Sequence, residues 1–267
     1  MIAFASNSLL CRVALKQNDI DAASFTAIRL LSGAVTLSIL LLLRNKKRDV
    51  FKAGNWRSAF FLFAYAICFS FAYLGLTTAT GALILFGCVQ MTMIGISITK
   101  GERPSSLEWL GLVVAAAGLV YLVLPGLTSP PLSSAVLMAT AGVAWGIYTL
   151  RGRASEDPLA DTTGNFARSV PMIALATLPF VSQIHLSNRG IILAILSGSV
   201  ASGIGYTVWY AALKYHTATR AAVLQLAVPV IAAGGGILFL AESADLRLVI
   251  AAALILGGIG LTIAGRK

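Results

Sequence analysis

Long apolar runs separated by short polar breaks set the rhythm of this chain. A helix rising 1.5 Å per residue needs about 20 residues to cross a hydrocarbon core roughly 30 Å thick. Runs of that size lie near 22 to 43, 57 to 76, 79 to 99, 106 to 124, 132 to 150, 163 to 182, 190 to 212, 218 to 240 and 246 to 264. A tenth, shorter run covers 1 to 15. It has no basic residue ahead of its apolar part and no small-x-small cleavage pattern, so it reads as a helix with a truncated start rather than a signal peptide. The breaks are only a few residues long, which leaves no room for a soluble domain and predicts antiparallel neighbours throughout.

Composition makes the bilayer the solvent to reason with. Of 267 residues, 58% are hydrophobic and 11% charged, with a mean hydropathy of +0.86, whereas soluble domains carry about 25% charged residues. The net charge of +10 comes without a basic stripe interleaved with aromatics, so nucleic acid is not an expected partner and membrane lipid is. Its distribution predicts topology instead. Arg44, Lys46, Lys47, Arg48, Lys52, Arg57, Lys100, Arg103, Arg151, Arg153, Lys214, Arg220, Arg266 and Lys267 share alternate breaks or the carboxyl end, against Lys16, Arg189 and Arg247 on the other side. The positive-inside rule then puts both termini in the cytoplasm, which requires an even number of spans and agrees with ten. Cys11, Cys68 and Cys88 lie inside apolar runs without metal-type spacing and read as small core residues.

Sliding the chain along itself by about 137 to 140 residues brings features into register. Arg12 meets Arg151, Arg29 meets Arg168, and Phe69 and Tyr73 meet Tyr206 and Tyr210. Ala79 and Thr80 meet Ala218 and Thr219, Gly101 and Glu102 meet Ala241 and Glu242, and Gly118 meets Gly258. Five spans per half force the second half to enter from the opposite face. The expected fold is therefore an all-α integral membrane protein of ten transmembrane helices in two inverted five-helix repeats, 1–128 and 129–267.

Several segments resemble the drug/metabolite transporter superfamily in its ten-helix EamA-type branch: Phe25-Thr-Ala-Ile-Arg29 with Leu-Leu-Ser-Gly33, Gly101-Glu-Arg-Pro104, Gly205-Tyr-Thr-Val-Trp-Tyr210, Gln225-Leu-Ala-Val-Pro229, and Glu242. The resemblance covers nearly the whole chain. It implies a helical bundle around a central cavity, two EamA repeats, and export or exchange of metabolites such as amino acids across a prokaryotic inner membrane. The chain starts later than family members usually do.

Polar groups inside a bilayer are costly, so each one requires a partner or a purpose. Ser199, Ser202, Tyr206, Trp209 and Tyr210 fall on one stripe of an α-helix, as do Tyr65, Phe69 and Tyr73. These two stripes are repeat-related and fit an aromatic-walled small-molecule site, with plain helix packing as the competing reading. Asn7, Gln90 and Gln225 must face protein or a cavity, either bonding helix to helix or touching substrate. Trp145 and Tyr148, one turn apart, carry the same two readings. Arg29 and Arg168 lie about 9 to 11 Å into their helices, where snorkelling, an ion pair, gating or an anionic substrate group would each account for them. Glu102 and Glu242 stand where helices 5 and 10 begin and read as dipole-complementing caps.

All ten acidic residues sit at or near breaks. Without a membrane-buried carboxylate, proton-coupled export of drugs or organic cations ranks below exchange of neutral or zwitterionic, amino-acid-like solutes by alternating access. A membrane-embedded enzyme lacks a nucleophile with a base, a paired-acid site or a metal cluster in the sequence, so neither catalysis nor a cofactor is expected. A non-transporting scaffold remains the alternative of another class.

Overall fold

The computed structural model describes residues 1–44, 53–99, 104–126, 129–153, 155–213, 224–225 and 227–265. Its described residues form ten helices, with no strand among them beyond an isolated bridge between Ile20 and Leu186. They are α1 (Ile2–Lys16), α2 (Ala22–Leu43), α3 (Trp56–Ala72), α4 (Thr78–Thr99), α5 (Ser106–Val123), α6 (Leu132–Arg153) and α7 (Pro158–Thr177), then α8, α9 (Ala227–Leu240) and α10 (Leu246–Gly265). A 3-10 turn, Leu178–Gln183, follows α7. Helix α8 is α-helical over Asn188–Leu196, π-helical over Ser197–Ile204 and α-helical again over Gly205–Leu213.

Local chemistry sets the starts. Asp21, Asn55, Asp157 and Ser187 cap α2, α3, α7 and α8 through their side chains, and Ser105 with Glu108 forms a capping box on α5. Helix α7 begins at Pro158 rather than near 163, because Asp157 and the proline at N1 start it and its polar first turns find partners in the protein. Asp161 accepts from the Gly54 N–H at 2.9 Å and Asn165 accepts from the Asn55 N–H at 2.9 Å.

The bundle is apolar outside as well as inside. On α2, Leu31, Val35, Ile39 and Leu42 face outward, the last 72% exposed, while Phe25, Thr26, Arg29, Gly33 and Leu37 face inward. A wholly apolar outer face would aggregate in water and is stable in lipid. Among the described residues six helices are long and apolar enough to cross a membrane. This is a multi-pass membrane protein.

Packing follows a regular pairing. Helix α5 packs on α10, α2 on α7 and α4 on α9; α3 packs on α6 and α7, α8 on α1 and α2, α4 on α6, and α9 on α1. Small residues make a close crossing between α5 and α10, where a side chain on Gly258 would strike the Gly111 carbonyl and the Ala115 backbone.

Polar contacts tie both ends of the bundle. At one end Arg44 pairs with Asp157 at 3.0 Å and Arg151 donates to Ser58 and Asn55 at 2.8 and 3.1 Å. At the other, Arg12 pairs with Glu242 at 3.4 Å and donates to the Tyr73 carbonyl at 2.8 Å, and Lys16 donates to the Leu240 carbonyl at 3.0 Å. Glu242 does not cap α10 as its position suggested. Its second oxygen accepts from the Thr78 N–H at 2.9 Å, so it serves the start of α4 and the cation on α1. Glu102, expected to cap helix 5, lies outside the described residues, as do Lys46 to Lys52, Lys100, Arg103, Lys214, Arg220, Arg266 and Lys267.

Candidate functional site

Aromatic side chains from α1, α3, α6, α7 and α8 converge at the middle of the bundle. Trp145 of α6 is the hub: its ring lies 4.9 Å from Tyr65, 4.8 Å from Tyr206, 5.6 Å from Tyr148 and 6.0 Å from Phe4. Phe4 also reaches Tyr206 and Trp209, at 5.8 and 5.7 Å, and Phe166 touches Tyr206 at 5.9 Å. Tilted and edge-on rings of this kind attract beyond their simple burial.

A polar chain threads this cluster. The Ser197 hydroxyl donates to Asn7 Oδ1 at 2.7 Å, and Asn7 Nδ2 donates to Ser202 Oγ at 3.2 Å. Ser202 Oγ also lies 3.4 Å from Arg29 Nε, and Arg29 Nη2 donates to Tyr65 Oη at 2.9 Å. The chain joins α8, α1, α2 and α3. It depends on the π-helical stretch of α8, because i to i+5 bonding brings Ser197 and Ser202 onto one face, where both reach Asn7. In an α-helix those two serines would diverge.

Between these groups lies a cavity of about 10 Å³, walled by Phe4, Asn7, Tyr65, Phe69, Leu85, Phe86 and Trp145. That is room for about one water. Among the described residues this void is too small for a solute, which would enter it only after rings or helices separate. Larger clefts open near each end. One of about 180 Å³ is bounded by Arg44, Thr162, Thr207 and Tyr210, and one of about 270 Å³ by Thr77, Thr80, Asp245 and Arg247.

The structure brings Asn7, Arg29, Tyr65, Trp145, Tyr148, Ser202, Tyr206 and Trp209 together and separates the rest. Tyr73 meets Phe69 edge-on at 4.8 Å but points to the Arg12 and Glu242 end, where its hydroxyl donates to the Thr78 carbonyl at 3.4 Å. Gln90 and Gln225 bond each other at 3.3 Å, the helix-to-helix role, and neither walls the cavity. Arg168 donates to the carbonyls of Ala53 and Gly164 at 2.5 and 3.0 Å and lies over Trp56, fastening the segment before α3. Arg29, its repeat counterpart, neither snorkels nor meets a carboxylate among the described residues; it is 1% exposed and faces Tyr65 and Phe69 at 5.1 and 4.9 Å.

Phe4, Phe166 and Ser197 went unread in the sequence, as did the cavity walls Leu85 and Phe86. Phe4 stands three residues before Asn7 on the same helical face, a spacing that could have revealed it. Ser197 could not have been found that way, because the α-helical stripe selects Ser199, whose hydroxyl turns back to the Ile195 carbonyl at 2.6 Å. Among the described residues no group of His, Cys, Asp or Glu is placed to hold a metal ion.

Comparison with known proteins places this architecture among transporters. The sequence model of the EamA-like transporter family matches residues 1–124 and 132–264. An uncharacterized protein of Pseudomonas aeruginosa is 50% identical over 266 residues, covering 100% of this chain and 92% of that one. An uncharacterized transporter of Archaeoglobus fulgidus is 26% identical, over 99% of this chain and 94% of its own. The uncharacterized transporter YoaV of Bacillus subtilis is 23% identical, over 91% and 87%. A crystal structure titled only as a protein shares the fold, with a TM-score of 0.71 and 20% identity over 100% of this chain and 97% of that one.

Proposed function

This chain belongs to the EamA-like transporter family, and from that membership we propose that it is a secondary transporter exporting or exchanging a small amino-acid-like metabolite, neutral or zwitterionic, by alternating access. The observation that carries the reading is the polar chain from Ser197 through Asn7, Ser202 and Arg29 to Tyr65, set inside the aromatic cluster and flanked by a cleft near each end. Such a site offers apolar walls and a few fixed polar groups, the usual makeup of a small-molecule pocket. Asn7, Tyr65, Trp145, Tyr148, Ser202, Tyr206 and Trp209 would contact the solute.

Two inverted five-helix repeats, 1–128 and 129–267, supply the device. The packing pattern supports them: exchanging α1 to α5 with α6 to α10 turns the pairs α3 with α6, α3 with α7 and α4 with α6 into α8 with α1, α8 with α2 and α9 with α1, all of which occur. The two matched stretches of the family model agree with that division. Repeats of this kind can trade conformations about a midplane site and open it to each face in turn. Ten spans with both termini cytoplasmic, in a prokaryotic inner membrane, complete the reading. Export of organic cations is disfavoured by a buried guanidinium at the centre with no described carboxylate beside it.

Counterflow in proteoliposomes against amino acids, organic cations and sugar phosphates tests the proposal. Uptake of an amino acid that Tyr206→Ala abolishes and Gln225→Ala spares is the expected result. If no solute in the panel exchanges, the transport reading falls and the scaffold reading gains.

A further inference from the structure

Among the described residues Arg29 is a charge without a counter-charge. It lies seven residues into α2, about 10 Å along the helix, and is 1% exposed. A guanidinium carries five N–H donors and cannot shed its proton in a protein. Nε and Nη2 are used on Ser202 and Tyr65, both neutral hydroxyls, and the faces of Tyr65 and Phe69 cover the plane. Nη1 has no partner among the described residues. Aromatic faces offset part of a buried cation's desolvation, but a buried ion held without an opposite charge is strongly disfavoured. The protein therefore keeps a positive charge and an idle donor where hydrocarbon surrounds it.

The place of that donor assigns its partner. Tyr65 and Phe69, which together flank one side of the guanidinium, are walls of the central cavity, and Ser202 is shared with Asn7, a third wall. Trp209 Nε1, from the same aromatic cluster, is a second buried donor with no partner among the described residues. Two groups that can only donate, Arg29 Nη1 and Trp209 Nε1, thus lack partners among the described residues beside a void with one fixed positive charge, while the unpartnered Tyr148 and Tyr206 hydroxyls can donate as well as accept. We infer that the solute carries a carboxylate, that this carboxylate pairs with Arg29 when bound, and that the rest of the solute is an apolar or aromatic body held against Trp145, Tyr206 and Phe4. Planar carboxylate matches the guanidinium fork in two parallel hydrogen bonds, which Nη1 and its neighbours can supply once the rings part. This inference rests on the transport reading for its setting and narrows it: neutral solutes are excluded, and zwitterions enter by their acid group.

The test separates the two ideas. Trp56 and Trp109 are exposed, so the background Trp56→Phe with Trp109→Phe leaves Trp145 and Trp209 as the fluorescence reporters of binding in purified full-length protein. Paired probes differ only in the acid: phenylalanine with phenylalaninamide, leucine with leucinamide, plus phenylacetate and glycerol 3-phosphate. The acids should quench at concentrations at least tenfold lower than their amides. Arg29→Gln should erase that difference, and Arg29→Lys, which keeps the charge but not the fork, should recover only part of it. Tighter quenching by glycerol 3-phosphate than by any carboxylate would overturn the carboxylate assignment. Amides that bind as well as acids in the unmodified site overturn the inference even if Arg29→Gln does not fold. Counterflow of the same pairs then distinguishes the failures. Amides carried as well as acids would sink the anion site and leave transport standing, while acid-selective quenching with no flux of any solute would sink transport and leave the site.

Discussion

Buried polar side chains in this protein fall into two kinds, and their substitution should separate them. Gln90 and Gln225 satisfy each other across α4 and the segment before α9. Gln225→Leu alone leaves the partner amide unsatisfied, which costs about 1 to 3 kcal/mol, whereas the double change to leucine removes both groups and costs less than the sum. Thermal unfolding in detergent should show that non-additivity, and counterflow should survive it; additive losses would mean the two amides do not meet. Asp21 is a different case, at the start of α2 and outside the span. Partial burial pushes its carboxyl up, but hydrogen bonds from the Ser24 N–H and hydroxyl and from the His185 N–H outweigh that and hold it below its usual value of 3.8. A lowered folded pKa means the stabilisation is complete above the unfolded value and is lost as pH falls through the folded one. Melting temperature should thus drop below about pH 4 in the native chain, and Asp21→Asn should flatten that drop while lowering stability at neutral pH by about 1 kcal/mol, because Asn still caps α2 but its amide nitrogen cannot accept from the His185 N–H. An unchanged acid profile in Asp21→Asn would assign the drop to other carboxyls.

Helices are held together here by what they lack rather than by what they carry. At the crossing of α5 and α10, Gly111 and Gly258 bring backbones into contact; a side chain at Gly258 meets main chain rather than a movable group, and one at Gly111 meets the Gly258 carbonyl and Thr262. Gly258→Leu should therefore destabilise by about 1 to 3 kcal/mol or more through overpacking, read as a lower melting temperature; Gly257→Leu, with open space around it, should change little. Equal melting temperatures for the two would show that the crossing is not close-packed. Most helices were legible for a related reason: hydrocarbon demands continuous apolar runs, so α2 at 22 to 43 and α5 from 106 could be read directly. Helix α7 was misplaced because its first turns are polar and satisfied by the 53–55 segment, a long-range fact that hydropathy does not carry. Part of the aromatic cluster was legible from helical spacing, Tyr65 with Phe69 and Tyr206 with Trp209, while Phe4 and Phe166 were not singled out. Ser197 was not, because the spacing rule assumes an α-helix where α8 is π-helical.

Among the described residues the centre of the molecule leaves room for about one water, with a cleft near each end, and a transporter in this form must break one set of contacts to admit a solute. The contacts differ in strength. At one end Arg44 with Asp157 is reinforced by Arg151, Arg168 and the carboxamides of Asn55 and Asn165. At the other, Arg12 holds Glu242 and the carbonyl of Tyr73, so one ion pair joins α1 to the α9 to α10 break and, through the Thr78 N–H, to α4. That end is the outward one if the basic residues face the cytoplasm. Because α1 also carries Phe4 and Asn7, parting Arg12 from Glu242 would draw two cavity walls away together. The pair is therefore placed to couple closure at the surface with closure at the site. Reversing one charge, Arg12→Glu or Glu242→Arg, sets like charges against each other; a shift of about 1.4 kcal/mol in the closure equilibrium changes a population tenfold, so counterflow should fall on the order of tenfold. The exchange of both, Arg12→Glu with Glu242→Arg, restores opposite charges at the same place and should recover most of the rate. Full recovery is not expected, since Glu at position 12 cannot donate to the Tyr73 carbonyl and Arg at 242 cannot accept from Thr78. If the double exchange is no better than the worse single change, the ion pair is incidental to closure and the coupling between surface and site must run through other contacts.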